Sequence, residues 1–94
     1  MMVKWLGDAI DDLQSLRNYI AEENPRAANS IAQHILHCID LLSENPNMGR
    51  QGRVAHTREL IISNTPFIIP YRVKNSIIET LCVLHSAMQW PDNF

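Results

Sequence analysis

The sequence predicts an α+β domain: a helical hairpin packed on one face of a small antiparallel sheet. Three observations carry that expectation. Apolar residues recur at helical spacing through the first half of the chain. Apolar runs separated by turn-forming triplets fill the second half. A length of 94 residues suits one domain over 1–94 and leaves no room for a second.

Residues 3–6 read as a short extended opening. Asp8 is a candidate N-cap for a helix running through Glu23, with Ile10, Leu13, Leu16 and Ile20 on its apolar side. Asp11, Asp12, Gln14, Ser15 and Asn18 make its other face polar, so the helix must cover something. Asn24-Pro25 ends it and starts the next, with Asn24 as N-cap and Pro25 at the first helical position. The second helix runs to about Ser43, presents Ala28, Ile31, Ala32, Ile35, Ile39 and Leu42 on one face, and is stopped by Asn45-Pro46. So short a connection makes an antiparallel hairpin. Residues 47–57 alternate glycine and arginine in a polar loop. The runs 59–63, 67–73 and 77–85, divided by Asn64-Thr65-Pro66 and Lys74-Asn75-Ser76, read as an antiparallel meander. Pro70 donates no ladder hydrogen bond, which predicts a bulge or an unpaired stretch within the middle run.

Composition excludes several classes. Hydrophobic residues make up 46% and charged residues 19%, a globular balance rather than a disordered one. No apolar run approaches the roughly 18 residues of a membrane span, and the N-terminus shows no signal-peptide pattern, so a cytoplasmic protein is expected. Cys38 and Cys82 then read as reduced, buried thiols. A net charge of −2 weighs against binding nucleic acid chiefly through its phosphates. The charge is unevenly spread. Residues 1–48 hold three basic and seven acidic side chains, net −4, whereas residues 49–94 hold five basic and three acidic, net +2.

Strand alternation adds an expectation about surfaces. In 67–73 one face carries Phe67, Ile69, Tyr71 and Val73, and the other Ile68, Pro70 and Arg72. In 77–85 one face carries Ile78, Thr80, Cys82 and Leu84, and the other Ile77, Glu79, Leu81, Val83 and His85. Two helices can cover only one side. The second is therefore expected to expose apolar surface rimmed by arginine, the appearance of a partner groove, unless the 44–57 loop and the C-terminal tail fold over it.

The opening VKWLGDAIDDLQSLRNYIAEENPRAA, the loop NPNMGRQGRV, and then TRELIISNTPFIIPYRV and LCVLHSAMQWP resemble the RelE/ParE superfamily of toxins from bacterial type II toxin–antitoxin modules, over residues 3–91. The resemblance implies a β-α-α-β-β-β fold and a cognate antitoxin whose acidic segment folds across the toxin. It also implies contact with DNA only indirectly through that antitoxin, no membrane, no cofactor, and room for a higher-order toxin–antitoxin oligomer. RelE-type members are ribosome-dependent mRNA endonucleases; ParE-type members inhibit DNA gyrase. The basic side chains of the ribonucleases are missing at the matching positions. The strand after the loop reads Glu59, Leu60, Ile61, Ile62; Ile68 follows Phe67; and the terminal segment reads Ser86-Ala87-Met88-Gln89. Attack of a 2′-hydroxyl on phosphate needs a base, an acid and cations, so the closer likeness is to the ParE type, a non-enzymatic gyrase inhibitor of the plasmid-stabilising, growth-inhibiting kind.

Candidate site residues follow. Arg50, Arg53, Arg58, Ile68 and Arg72 are expected to meet the antitoxin. Met88, Trp90 and Phe94 in the tail are expected to touch the target. The alternative, an mRNA interferase, would use His85, Arg72 and Arg58. A third reading is a degenerate toxin kept as a co-repressor with its antitoxin. His85 by itself is better explained as a strand-end histidine, and Arg72 as the partner of Glu79 or of an antitoxin carboxylate. His34 and Cys38 stand at i and i+4 on the second helix, but no further ligand is placed, so no metal is expected.

Overall fold

The computed structural model describes residues 1–86. Along the chain run β1 (Met2–Trp5), α1 (Gly7–Ala21), α2 (Pro25–Glu44), β2 (Arg50–Gln51), β3 (Arg58–Ile61), β4 (Phe67–Lys74), β5 (Ile77–Thr80) and β6 (Leu84–His85). The two helices pack on one face of a mixed sheet ordered β1-β5-β4-β3-β2, with β6 also paired to β4. The α+β hairpin-on-sheet architecture is thus as expected. The sheet is not wholly antiparallel, because β1 lies parallel to β5, with Val3 beside Ile78 and Trp5 beside Thr80. No described helix is long and apolar enough to cross a membrane.

The helix caps differ in an instructive way. Asn24 caps α2 as expected, its Oδ1 accepting from the Ala27 N–H at 3.1 Å with Pro25 behind it. Helix α1 instead begins two residues early, from an extended Leu6 with no side-chain cap, and leaves Asp8 in the first turn, where the helix dipole favours its charge. Ala9 rather than Ile10 consequently faces inward. At 100° per residue Ala9 shares the arc of Leu13, Leu16 and Ile20, whereas Ile10 stands a full step round and is 51% exposed.

One core joins the two layers. Ile35, Ile39 and Leu42 of α2 meet Leu60, Ile62, Ile69, Tyr71, Ile78 and Val83, with Val3, Trp5, Leu13 and Leu16 closing its rim. Cys82 belongs to a smaller buried group with Leu81, Leu84 and Leu6, whereas Cys38 is only half-buried.

The expected third run, 77–85, is two strands rather than one. Pro70 explains the break. Its carbonyl accepts from the Leu81 N–H at 2.9 Å, so its missing N–H lies on the same edge of β4, away from β3. On that edge β5 pairs only as far as Tyr71, and β6 resumes at Ile68. The unpaired stretch foreseen at Pro70 is this gap. Residues 81–83 cross it with a one-residue slip. Ile78 and Thr80 face the helices, but so do Val83, in the helix-side core, and His85, opposite Phe67. Val83 and His85 therefore lie on the side opposite to that expected from strict alternation, and Leu84 joins Ile68 on the far face.

Candidate functional site

The connection from Pro46 to Arg58 is held by side chains from the strands beneath it. Tyr71, fully buried, donates its hydroxyl proton to the Pro46 carbonyl at 2.7 Å and accepts from the Gly49 N–H at 2.9 Å. Burial pushes its phenol up, while the Gly49 N–H and the nearby Arg58 guanidinium act the other way. Glu59 is 2% exposed; its carboxylate accepts from Arg50 Nε and from the Arg53 backbone N–H, both at 2.9 Å. Arg58 donates from one guanidinium nitrogen to the carbonyls of Gly49 at 2.8 Å and Asn47 at 3.4 Å. Within the loop, the Gly52 N–H bonds Thr57 O, and Thr57 Oγ1 bonds Val54 O at 2.6 Å.

The two glycines are required by close approach, since neither has positive φ. A Cβ on Gly49 would stand 2.5 Å from the Tyr71 ring and 2.9 Å from the Glu59 carbonyl, and one on Gly52 would collide with Thr57. The Gly49-Arg50-Gln51-Gly52-Arg53 run is thus a built loop. The sequence reading missed Tyr71, Glu59 and Thr57 as its supports. For Glu59 and Tyr71 the only sequence signal was a polar group inside an otherwise apolar strand; Thr57, at the end of the loop, had none.

The far sheet face, away from the helices, differs from expectation. Cross-strand rows place Lys4, Glu79 and Arg72 together, and Pro70, Glu59 and Arg50 together. Arg72 Nε bonds Glu79 at 2.8 Å and holds that carboxyl below its ordinary range, with Lys74 and Lys4 adding to the effect. The middle of this face is ion-paired, not apolar, because alternation brings the charged positions of three strands into register. Ile68, expected in an open groove, is 6% exposed and lies beside Leu84. Apolar exposure on this face falls to Ile61 at 51% and Met2 at 70%. The charge asymmetry becomes spatial: residues 7–44, the helical layer, hold two basic and seven acidic side chains.

At one end of the sheet the 51–57 loop overhangs a shallow cleft of about 600 Å³, to which Arg53, His56, Arg58, Tyr71 and Arg72 contribute. Of the expected antitoxin residues, Arg53, Arg58 and Arg72 line this cleft, while Arg50 stands on the adjoining edge with Glu59. His85 is elsewhere. It packs edge-on against Phe67 at 5.7 Å, in a groove with Leu16, Tyr19 and Val83. Since His85 sits opposite Phe67 and Arg58 opposite Tyr71, roughly 13 Å of strand separates the two at 3.3 Å per residue. Met88, Trp90 and Phe94 lie outside the described residues. His34 donates Nε2–H to the Ser63 carbonyl at 2.9 Å, which leaves Nδ1 facing Cys38 Sγ at 4.0 Å. Among the described residues no group of three or more His, Cys, Asp or Glu is placed to hold a metal ion.

Comparison with known proteins gives a consistent picture. The family described as the ParE toxin of the type II toxin–antitoxin system, parDE, matches residues 3–90. The toxin candidate Y4kP of Sinorhizobium fredii is 38% identical over 89 residues, 95% of this chain and 92% of that protein. Toxin RelE2 of Caulobacter vibrioides is 33% identical over 85 residues, 90% of this chain and 94% of that one. A solved chain of the chromosomal ParDE TA system from P. aeruginosa superposes with a TM-score of 0.82 at 28% identity, covering 90% of this chain and 95% of that chain.

Proposed function

The chain belongs to the ParE toxin family of type II toxin–antitoxin systems, and from that membership we propose that it inhibits DNA gyrase in the cytoplasm and is neutralised by direct binding of a cognate antitoxin. Gyrase as the target comes from the family likeness. The non-enzymatic reading rests on one observation: the histidine an mRNA interferase would need is apart from the arginines. Transesterification at phosphate requires acid, base and cation within hydrogen-bond reach of one reacting group. Here His85 lies about 13 Å of strand from Arg58, outside the cleft that Arg58 and Arg72 line, and Arg72 is already bonded to Glu79. Antitoxin binding at this end of the sheet is supported by Arg53, Arg58 and Arg72, which line one cleft, with Arg50 on the adjoining edge, while the acidic helical layer repels an acidic segment.

The interferase reading is the second, favoured by the relative named RelE2. One experiment separates them: purified toxin is added to a gyrase supercoiling assay and, in parallel, to a translating mRNA system. Loss of supercoiling with intact mRNA is expected. Cleaved mRNA with untouched supercoiling overturns the proposal, and no effect in either assay points to a degenerate toxin that acts only as co-repressor.

A further inference from the structure

We infer that the open edge of β3 at Ile61 is a self-association surface, on which a second copy of this chain pairs its own Ile61 edge antiparallel across a two-fold axis.

The edge is open because the β2–β3 ladder stops short. Arg50 pairs with Glu59, and the Gly52 N–H bonds Thr57 O, so in the same register Met48 would face Ile61. The Met48 N–H instead bonds the Asn45 carbonyl at 2.9 Å, in the turn that follows α2. On its other side β3 turns the backbone of Leu60 and Ile62 toward β4, since the Ile62 N–H donates to Phe67 O at 3.1 Å. Antiparallel alternation then points the N–H and C=O of Ile61 outward. Among the described residues neither group has a partner.

Apolar side chains flank this edge on both faces. Ile61 is half exposed on the far face. From the α2 side Cys38, Leu41 and Met48 form with Leu60 and Ile61 a groove of about 330 Å³, in which Leu41 and Met48 are exposed. Exposed sheet edges are ordinarily guarded by charge or proline. Residues 60–65 carry neither.

Symmetry and charge favour a second copy as the occupant. A two-fold axis at Ile61 sets it against its own copy, closes two N–H to C=O bonds, and places Leu60 opposite the copy's Ile62. Glu59 and its copy then stand four positions apart, about 13 Å of strand, and each is already paired with Arg50. No like charges oppose one another. The β1 edge fails the same test. There the Leu6 N–H reaches Thr80 O, so Val3 and Trp5 present the outward backbone groups, and any two-fold through them holds Lys4 within two positions of its copy. An acidic or basic strand from another protein would have to set charge against Ile61, Leu41 and Met48, whereas the edge offers itself an uncharged match. The contact is short, bounded by β2 at Glu59 and by the Thr65 N–H to Ile62 O turn, so the dimer is weak and concentration-dependent.

Sedimentation equilibrium of the full chain, from micromolar to near-millimolar concentration, should show the mass rising from monomer toward dimer. Ile61→Lys, at an exposed edge position, should weaken association about tenfold or more, whereas Met2→Lys on the opposite edge should change it by less than about twofold. Amide exchange of the unmutated protein gives a second reading. The Ile61 N–H should exchange freely in dilute solution and slow about tenfold in concentrated solution, with the Val3 and Trp5 amides unchanged. A monomer at every concentration, wild-type association in Ile61→Lys, an equal loss in Met2→Lys, or an Ile61 amide protected even at dilution each overturn the inference. Protection that appears only when the antitoxin is added would give the edge to the antitoxin and overturn it too.

Discussion

Tyr71 shows how one buried side chain can organise a loop that is distant in sequence. Its hydroxyl closes two backbone groups, Pro46 O and Gly49 N, that would otherwise be buried without partners. Tyr71→Phe keeps the ring and removes both bonds, so it should cost about 1–3 kcal/mol. A thermal melt should register a fall of several degrees, and an unchanged melting temperature would show that water replaces the hydroxyl. Glu59 works similarly from β3, and its burial is tolerable only because Arg50 and the Arg53 N–H both serve it. The arginines of this region were legible in the sequence as residue types. Their partners were not, since no local pattern links Tyr71 with Pro46 or tells an arginine that closes an internal ion pair from one that remains for a ligand. Cys82 carries a similar lesson: burial, then Asp12 and Asp8, push its thiol up to about 12, although neither aspartate is near it in sequence.

Among the elements, the β4–β5 hairpin is the one whose local chemistry was easiest to read. Lys74 pairs with Ile77 across a two-residue turn in which Asn75 and Ser76 both have positive φ, at 53° and 61°. That is the type I′ signature, and its twist matches the strands it joins. Asparagine tolerates the left-handed region; serine is less suited to it. Ser76→Gly should therefore stabilise the protein by roughly 1 kcal/mol, raising the melting temperature by about 4–8 °C. A lower melting temperature would mean that the serine side chain contributes a bond worth more than the relieved strain. Pro70 was legible as a missing donor. Which edge of β4 lacked the hydrogen bond depended on the order of strands, and the slip at 81–83 that reversed Val83, Leu84 and His85 followed from it.

At the scale of the whole molecule, the division of charge read from the sequence became a division between layers, acidic helices over a sheet that carries the arginines. Folding also paired much of that charge. Glu79 sits between Arg72 and Lys4, and its carboxyl is held below the ordinary value of 4.5, first through the Arg72 hydrogen bond. A depressed folded-state pKa gives stability that is present above that ordinary value and lost as pH falls through the folded one. Wild type should accordingly lose more stability than Glu79→Gln between pH 6 and pH 3, measured as urea midpoints at the two values. Parallel loss in both proteins would show that the pair adds nothing to folding.

The sequence by itself determined the class of the fold, the capped start of α2, the β4–β5 turn and the toxin family, because each rests on local periodicity, turn chemistry or an ordered string of residues. Only the tertiary structure decided which arginines are already satisfied, that Ile68 is covered, that His85 is remote from Arg58, and that Tyr71 and Glu59 build the loop. Those outcomes depend on strand order and on a one-residue slip, and a single displaced residue in a strand exchanges the two faces of everything that follows it.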